Sequence, residues 1–184
     1  MAPDWKAQIC KAQFCPTPKF SRSLGKWREM GRAIAALTLW SCAKQPPQEQ
    51  LLETKNCLDC DLAEAELAQI DLSEAKLNRS NLQRANLNQA NLSRALLDSA
   101  NLSGANLAAA NLSAAALSGA DLSSADLTEA NLEGAFLRNA DLSNANLTGA
   151  NLSNSDLSNA KLDGARLEGA NLQGAILPDA QIQP

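Results

Sequence analysis

Cys57 and Cys60, separated by two residues, form the one motif in this chain with chemical character. A structural zinc site needs a second such pair, which the sequence lacks. A thioredoxin-like redox role needs a strand-to-helix context, which the neighbouring residues do not predict. A structural disulfide and two buried free thiols remain as the alternatives. The other three cysteines, Cys10, Cys15 and Cys42, all precede the pair.

The composition argues against an enzyme. The chain has no histidine, which excludes Ser-His-Asp and Cys-His catalysis and any His-ligated metal site within it. Acidic side chains do come in pairs, such as Asp121 with Asp126 and Glu129 with Glu133. A general acid needs a partly dry, concave site, so these pairs are interpreted as solvated surface. We therefore expect no catalytic residues, no cofactor and no metal.

A five-residue repeat organises most of the chain. From residue 60 to residue 184 the sequence divides into twenty-five pentapeptides without a slip. The central residue of each is leucine at every fifth position from 62 to 177, and Ile182 completes the series. Alanine lies two residues before the central one in twenty-one units, and the exceptions are Cys60, Ile70, Ser80 and Ser155. A fixed short period indicates a repeat architecture.

Period five fits neither a straight helix nor a flat strand. A helix would scatter the leucines around its axis, and a strand would send alternate leucines to opposite faces. The conflict disappears if the backbone turns once in every repeat. Alanine and leucine then both point inward, the Asn or Asp between them points outward, and the small polar residues that follow form the turn.

The repeats resemble those of a known family. Units such as Ala-Asn-Leu-Ser-Gly at 100–104 and Ala-Asn-Leu-Thr-Gly at 145–149 are similar to the A(D/N)LXX signature of pentapeptide-repeat proteins. The resemblance covers residues 60–184, about two-thirds of the chain. It implies an all-β fold, a right-handed quadrilateral β-helix with four pentapeptides per coil. We expect about six coils over 57–184, preceded by a short helical or disordered leader.

One outward register of period twenty differs from the others. The outward residue, which directly precedes the central one, is apolar only four times, at Leu96, Ala116, Phe136 and Ile176. All four fall in a register that also contains Lys76 and Asp156. Another register holds asparagine at 91, 111, 131, 151 and 171. Four pentapeptides per coil would make each register a vertical column, so we predict an apolar partner surface. The alternatives are that the remnant of the leader or the C-terminal tail covers these residues, or that they are tolerated singly on the surface.

The segment before the repeats predicts export. Residues 1–55 hold nine Lys or Arg against four Asp or Glu, whereas residues 56–184 hold seven against sixteen. A basic region, the apolar run 33–40 and a small-x-small exit through Ala43 are typical of a secretory signal. We predict this leader over 1–43 and a proline-bearing linker over 44–56. The alternatives are a cytoplasmic extension and a lipoprotein anchored through Cys42.

The register also places the cysteine pair. Cys57 occupies a central position and Cys60 an alanine position, so both should face the axis at the open N-terminal end. The segment 50–62 also resembles the opening of exported pentapeptide-repeat proteins from photosynthetic bacteria, some of which occupy the thylakoid lumen or periplasm. That resemblance favours a Cys57–Cys60 disulfide together with a periplasmic or lumenal location.

The predicted function is a non-enzymatic structural or protein-interaction scaffold. We expect an unidentified protein partner or self-association, no nucleic acid, and no stable membrane insertion of the repeat domain. The alternative is a cytoplasmic acidic rod that mimics DNA and binds DNA gyrase, as in another branch of the family. Such members often carry phenylalanine at central positions and dimerise through a C-terminal element, and neither feature is present here.

Overall fold

The computed structural model describes residues 46–178. The predicted leader over 1–43, with the apolar run 33–40 and Cys42, lies outside the described residues, as do residues 179–184. In the described part, no helix has the length and apolar character needed to cross a bilayer.

Parallel backbone bridges tie the repeats into coils. Each bridge joins two residues twenty positions apart, from Asn56 with Lys76 to Asp156 with Ile176. Every strand is a single bridge residue long, so the described residues contain no extended sheet. Since twenty residues are four pentapeptides, four of them complete one coil, as the period-twenty registers predicted.

A tight turn closes every pentapeptide. The amide of Ala65, for example, donates to the carbonyl of Leu62 at 3.1 Å. The second turn residue has positive φ throughout, from 53° at Ala114 to 73° at Gly174. Positive φ at this place alone is the pattern of a type II turn. Most of these positions hold residues other than glycine, so stacking between coils enforces a backbone conformation that their side chains disfavour.

The core is a column of leucines lined by alanines. Central leucines from Leu67 to Leu152 are completely buried. Leu162 and Leu172, in the last described coil, are only half-buried. Two alanine positions hold serine instead, and the hydroxyls of Ser80 and Ser155 each donate to the preceding leucine carbonyl at 2.6 Å. These bonds satisfy two hydroxyls that would otherwise be buried without a partner.

Outward asparagines bond both within a turn and between coils. The side-chain oxygen Oδ1 of Asn131 accepts the backbone amide of Glu133 at 3.2 Å. It also accepts the side-chain NH₂ of Asn151, one coil further, at 3.1 Å. The same link repeats along the column to form an amide ladder, whose members are Asp71, Asn91, Asn111, Asn131, Asn151 and Asn171.

A short helix covers the N-terminal end of the coils, within the segment 44–56 that the sequence predicted as a proline-bearing linker. Helix α1 is Pro47–Thr54. It begins with proline, which suits the first helical turn. Lys55 caps its C-terminal end with a positive φ of 52°. Leu51 is completely buried and extends the leucine column. The end that the sequence analysis treated as open is therefore covered.

Polar side chains of this segment also replace hydrogen bonds that a preceding coil would have made. The side-chain NH₂ of Gln50 donates to the backbone carbonyl of Asn56 at 2.8 Å. The side-chain NH₂ of Gln48 donates to the backbone carbonyl of Glu66 at 3.0 Å. The Lys55 ammonium donates to the carbonyl of Ser73 at 3.2 Å. In later coils these carbonyl positions accept backbone amides, as Asn81 does from Leu62 at 2.7 Å.

At the other end, residues 46–178 contain no element that corresponds to α1. Leu147 and Leu152 donate their amides to Arg166 and Asn171 in the last coil. The corresponding amides of Leu167 and Leu172 have no acceptor among residues 46–178. Within residues 46–178, the coil stack therefore has one end covered by a helix and one end where the amides of Leu167 and Leu172 are unpaired.

Candidate interaction surface

The apolar outward residues form one column on one side of the coils. Bridges join Leu96 to Ala116 and Ala116 to Phe136, which places them on three consecutive coils. Asp156 follows Phe136, and Ile176 follows Asp156. The structure thus brings together three of the four residues predicted from the sequence and separates Ile176 from them by one carboxylate. We call Leu96, Ala116, Phe136 and Ile176 the apolar column.

This column is exposed. Leu96 is 39% exposed, Phe136 51% and Ile176 55%, whereas Ala116 is half-buried. Leu58, a turn residue on the same side of the first coil, is also exposed. Sequence reasoning missed Leu58 because it lies outside the outward register, although its apolar character at a turn position was a usable signal. The apolar column and Leu58 together are called the apolar face.

The apolar column lacks a hydrogen bond that the other columns make. Outward Asn and Asp residues accept the amide two positions later, as Asp121 does from Ser123 at 2.9 Å. The side chains of Leu96, Ala116 and Phe136 have no oxygen that could accept this bond. The Ser118 amide instead reaches Asp98, one coil away, at 3.2 Å. Local folding therefore favours Asn or Asp at these positions, and the apolar residues are not explained by the stability of the turn.

Charged residues border the apolar column. Arg138 donates through Nε to Oδ2 of Asp156. Asp156 also accepts the Ser158 amide at 3.1 Å and its hydroxyl at 2.6 Å. The Ser158 hydroxyl, followed by Arg138, lowers the pKa of the Asp156 carboxyl. Lys76, at the other end of the column, is exposed, and its ammonium has no partner among the described residues.

The other predicted chemical groups are structural in this arrangement. A disulfide joins Cys57 to Cys60, with Cys57 completely buried beneath α1. Asp126 accepts the amide and hydroxyl of Thr128 at 3.1 and 2.6 Å, which is a turn-forming role. Residues 46–178 contain no group of three or more His, Cys, Asp or Glu arranged to hold a metal.

Comparisons with known proteins agree on one family. The family model described as Pentapeptide repeats matches residues 56–94, 75–112, 105–144, 120–159 and 140–179. No curated protein matches the chain.

Three solved structures illustrate the similarity. HetL, a pentapeptide repeat protein involved in heterocyst differentiation regulation in Nostoc sp. strain PCC 7120, is 40% identical over 70% of this chain and 66% of its own, with a TM-score of 0.29. A pentapeptide repeat protein from the Arabidopsis thaliana thylakoid lumen is 32% identical over 66% of this chain and 71% of its own, with a TM-score of 0.35. QnrB1, a plasmid-mediated fluoroquinolone resistance protein, is 24% identical over 65% of this chain and 61% of its own, with a TM-score of 0.40.

Proposed function

Because the chain belongs to the pentapeptide-repeat family, we propose that it is a non-enzymatic scaffold that binds a protein through its apolar face. One observation carries this proposal: the apolar column replaces hydrogen-bonding residues with exposed apolar ones on a single side of the coils. Scattered apolar residues need no explanation, whereas a contiguous exposed set is typical of a binding surface. The stacked coils hold the column rigidly, so little conformational entropy would be lost on binding.

We infer that the repeat domain is a right-handed quadrilateral β-helix of about six coils. The parallel bridges of period twenty between Asn56 and Ile176 support this architecture. The right-handed sense of the coils is inferred from membership of the family.

We further propose that the protein works outside the cytoplasm, in a periplasm or thylakoid lumen. The signal pattern over 1–43 supports export. The Cys57–Cys60 disulfide is compatible with an oxidising compartment.

Cell fractionation with N-terminal sequencing of the mature chain tests the proposed export directly. We expect a start near residue 44 in a non-cytoplasmic fraction; an intact cytoplasmic chain would contradict export and favour the gyrase-binding alternative. A lipid-modified Cys42 in the mass spectrum would indicate the lipoprotein.

Photo-cross-linking in the producing cells tests the binding function. A benzoylphenylalanine at position 136 would report on the apolar face, and the same group at position 106 is a matched control. Asn106 is exposed and occupies the outward position two pentapeptides from Leu96 in the same coil, on the opposite side. We expect a cross-linked protein adduct from position 136 and none from position 106. Equal labelling from both positions, or none from 136, would argue against a binding role for this face.

A further inference from the structure

We propose that the apolar face binds the same face of a second copy of this chain, with the two rods antiparallel and a two-fold axis passing through Ala116. The inference rests on the proposed protein-binding function and names its partner. A two-fold interface requires a surface that is complementary to itself after rotation. The outward residues of this side meet that requirement in both their apolar and their charged members.

The five middle residues of the outward column read the same way in chemical terms from either end, whereas its two end residues, Asn56 and Ile176, differ. Its consecutive coils carry Lys76, Leu96, Ala116, Phe136 and Asp156. Reversal about Ala116 places Leu96 opposite Phe136 of the second copy, and Lys76 opposite Asp156. The small Ala116 meets its own counterpart, where two large side chains would hold the faces apart.

The neighbouring turn residues obey the same symmetry. Asp98, Ser118 and Arg138 lie on the three middle coils, beside Leu96, Ala116 and Phe136. The same rotation puts Asp98 opposite Arg138 of the second copy, and Ser118 opposite itself. Each half of the interface then brings together two carboxylates and two cations. Arg138 and the buried Asp156 of one copy are already bonded to each other, whereas the Lys76 ammonium is unpaired within the described part of the chain.

The outermost coils extend the apolar contact. Leu58 lies on the first coil and Ile176 on the last, and both are exposed. In the proposed register Ile176 of one copy lies opposite Asn56 of the other, at the level of the adjacent Leu58. Four of the five exposed large apolar side chains among residues 46–178 would therefore be covered, and only Leu52 of α1 would stay outside.

Other arrangements of the two faces are less favourable. A parallel pair in register would place Lys76 on Lys76 and Asp156 on Asp156, so that like charges meet. An antiparallel pair shifted by one coil would put Phe136 opposite Lys76, or Leu96 opposite Asp156. The centred antiparallel register alone matches apolar with apolar and positive with negative.

The size of the face predicts a weak dimer. Six coil spacings of about 4.8 Å give a height of about 29 Å, and four extended residues give a width of about 13 Å. Each copy would bury roughly 400 Å², or about 800 Å² for the pair, which is below the standard size of specific interfaces and in the range of weak, transient ones. We therefore expect reversible, concentration-dependent association.

Sedimentation velocity of the full chain from about 1 µM to about 500 µM tests the dimer. We expect the wild type to shift from monomer to dimer, and Phe136→Asn to raise the dissociation constant at least about tenfold, since the apolar contact is lost twice. Phe136→Asn should stay folded, because asparagine at this position can accept the Arg138 amide as it does elsewhere. Arg166→Asn, an outward exposed residue on the opposite side, is the matched control and should dimerise like the wild type.

Cysteine cross-linking tests the register, in a variant whose Cys10, Cys15 and Cys42 are changed to serine. Ala116→Cys alone should form a cross-linked dimer. Leu96→Cys and Phe136→Cys should cross-link when mixed, and neither should do so efficiently alone.

Three results would overturn the proposal. A wild-type chain that stays monomeric throughout the concentration series excludes the dimer. Efficient self-cross-linking of Leu96→Cys excludes the antiparallel register. If position 136 captures a different protein in cells while the chain sediments as a monomer, the scaffold function stands and the second copy is the wrong partner.

Discussion

The outward residue of each pentapeptide determines how its turn and its neighbouring coils are bonded. Asn131 accepts a backbone amide from its own turn and a side-chain amide from the next coil. The sequence pattern predicted that such residues point outward. It also predicted the vertical column of asparagines, but not the bonds of the ladder, because these depend on side-chain conformations that the period does not specify.

Adjacent alanines on one coil should respond in opposite ways to the same substitution. Ala114 has a φ of 53°, a region that glycine enters without a Cβ penalty. Ala114→Gly should raise the free energy of unfolding by about 0.5–1 kcal/mol, because the strain relieved exceeds the entropy gained by the unfolded chain. Denaturant unfolding measures the change.

Ala115→Gly is the matched control, because Ala115 is completely buried and lacks the positive φ. It should lower stability by about 1 kcal/mol through the loss of a buried methyl group and the added backbone freedom. The same sign for both variants would contradict the strain attributed to position 114.

Acid should weaken the coils through their bonded aspartates. The Ser143 hydroxyl and amide, followed by Lys161, lower the pKa of Asp141 to about 2. A hydrogen bond from Lys55 comes first among the causes that lower the pKa of Asp71. In the unfolded chain both groups titrate near their ordinary pKa of about 3.9. The contribution of these ionised aspartates to the free energy of unfolding is therefore complete above that pKa. It is lost as the pH falls from about 4 through about 2.

Unfolding curves at neutral and acidic pH should show this loss, and Asp141→Asn should flatten the profile. An increase in stability on acidification would contradict the assigned role of these carboxylates.

Helix α1 shows why a short terminal element escapes sequence analysis. Its eight residues begin with Pro47, directly after Pro46 at the N-cap, and include one completely buried side chain, Leu51. A single buried residue gives no helical periodicity. The bonds that fix the helix, from Gln48 and Gln50 to the first coil, use polar residues that resemble those of any linker.

Leu51→Ala should destabilise the first coil more than Leu52→Ala. Leu51 is completely buried and Leu52 is 46% exposed. Removal of the buried side chain should cost about 2–4 kcal/mol, and the exposed neighbour should change stability by less than about 0.5 kcal/mol. Hydrogen exchange would show where the coils are destabilised. We expect the amides of residues 57–75 to exchange faster in Leu51→Ala, and the amides near Leu117 to change little. Equal exchange in both variants would show that α1 does not protect the coils.

Across the molecule, a single periodicity predicted most of the architecture. Central leucines had to face one axis because no straight element accommodates period five, and the parallel bridges twenty residues apart confirm the coil predicted from the registers. Leu96, Ala116 and Phe136 were placed together for the same reason. The ion pair of Arg138 with Asp156 was not predicted, because contacts of side chains between coils leave no period in the sequence. Leu58 was missed because it occupies a turn position outside the outward register.

The same leucine truncation should cost more in the middle of the stack than at its end. Leu117 is completely buried between two coils, whereas Leu172 is half-buried in the last one described. Leu117→Ala should lower stability by about 3–5 kcal/mol, and Leu172→Ala by about half as much. Equal losses, measured by denaturant unfolding, would indicate that Leu172 is covered as fully as the central leucines.

The end of the coil stack that α1 covers is its N-terminal end, and it is therefore translated before the rest of the stack. Once α1 and the first coil have formed, each further twenty residues of nascent chain meet a complete template of amides and carbonyls. We therefore expect the rod to lengthen during translation or translocation by addition of one coil at a time, in the direction of synthesis. A protein built in this way can gain or lose whole twenty-residue units near its C-terminus without disturbing what has already folded.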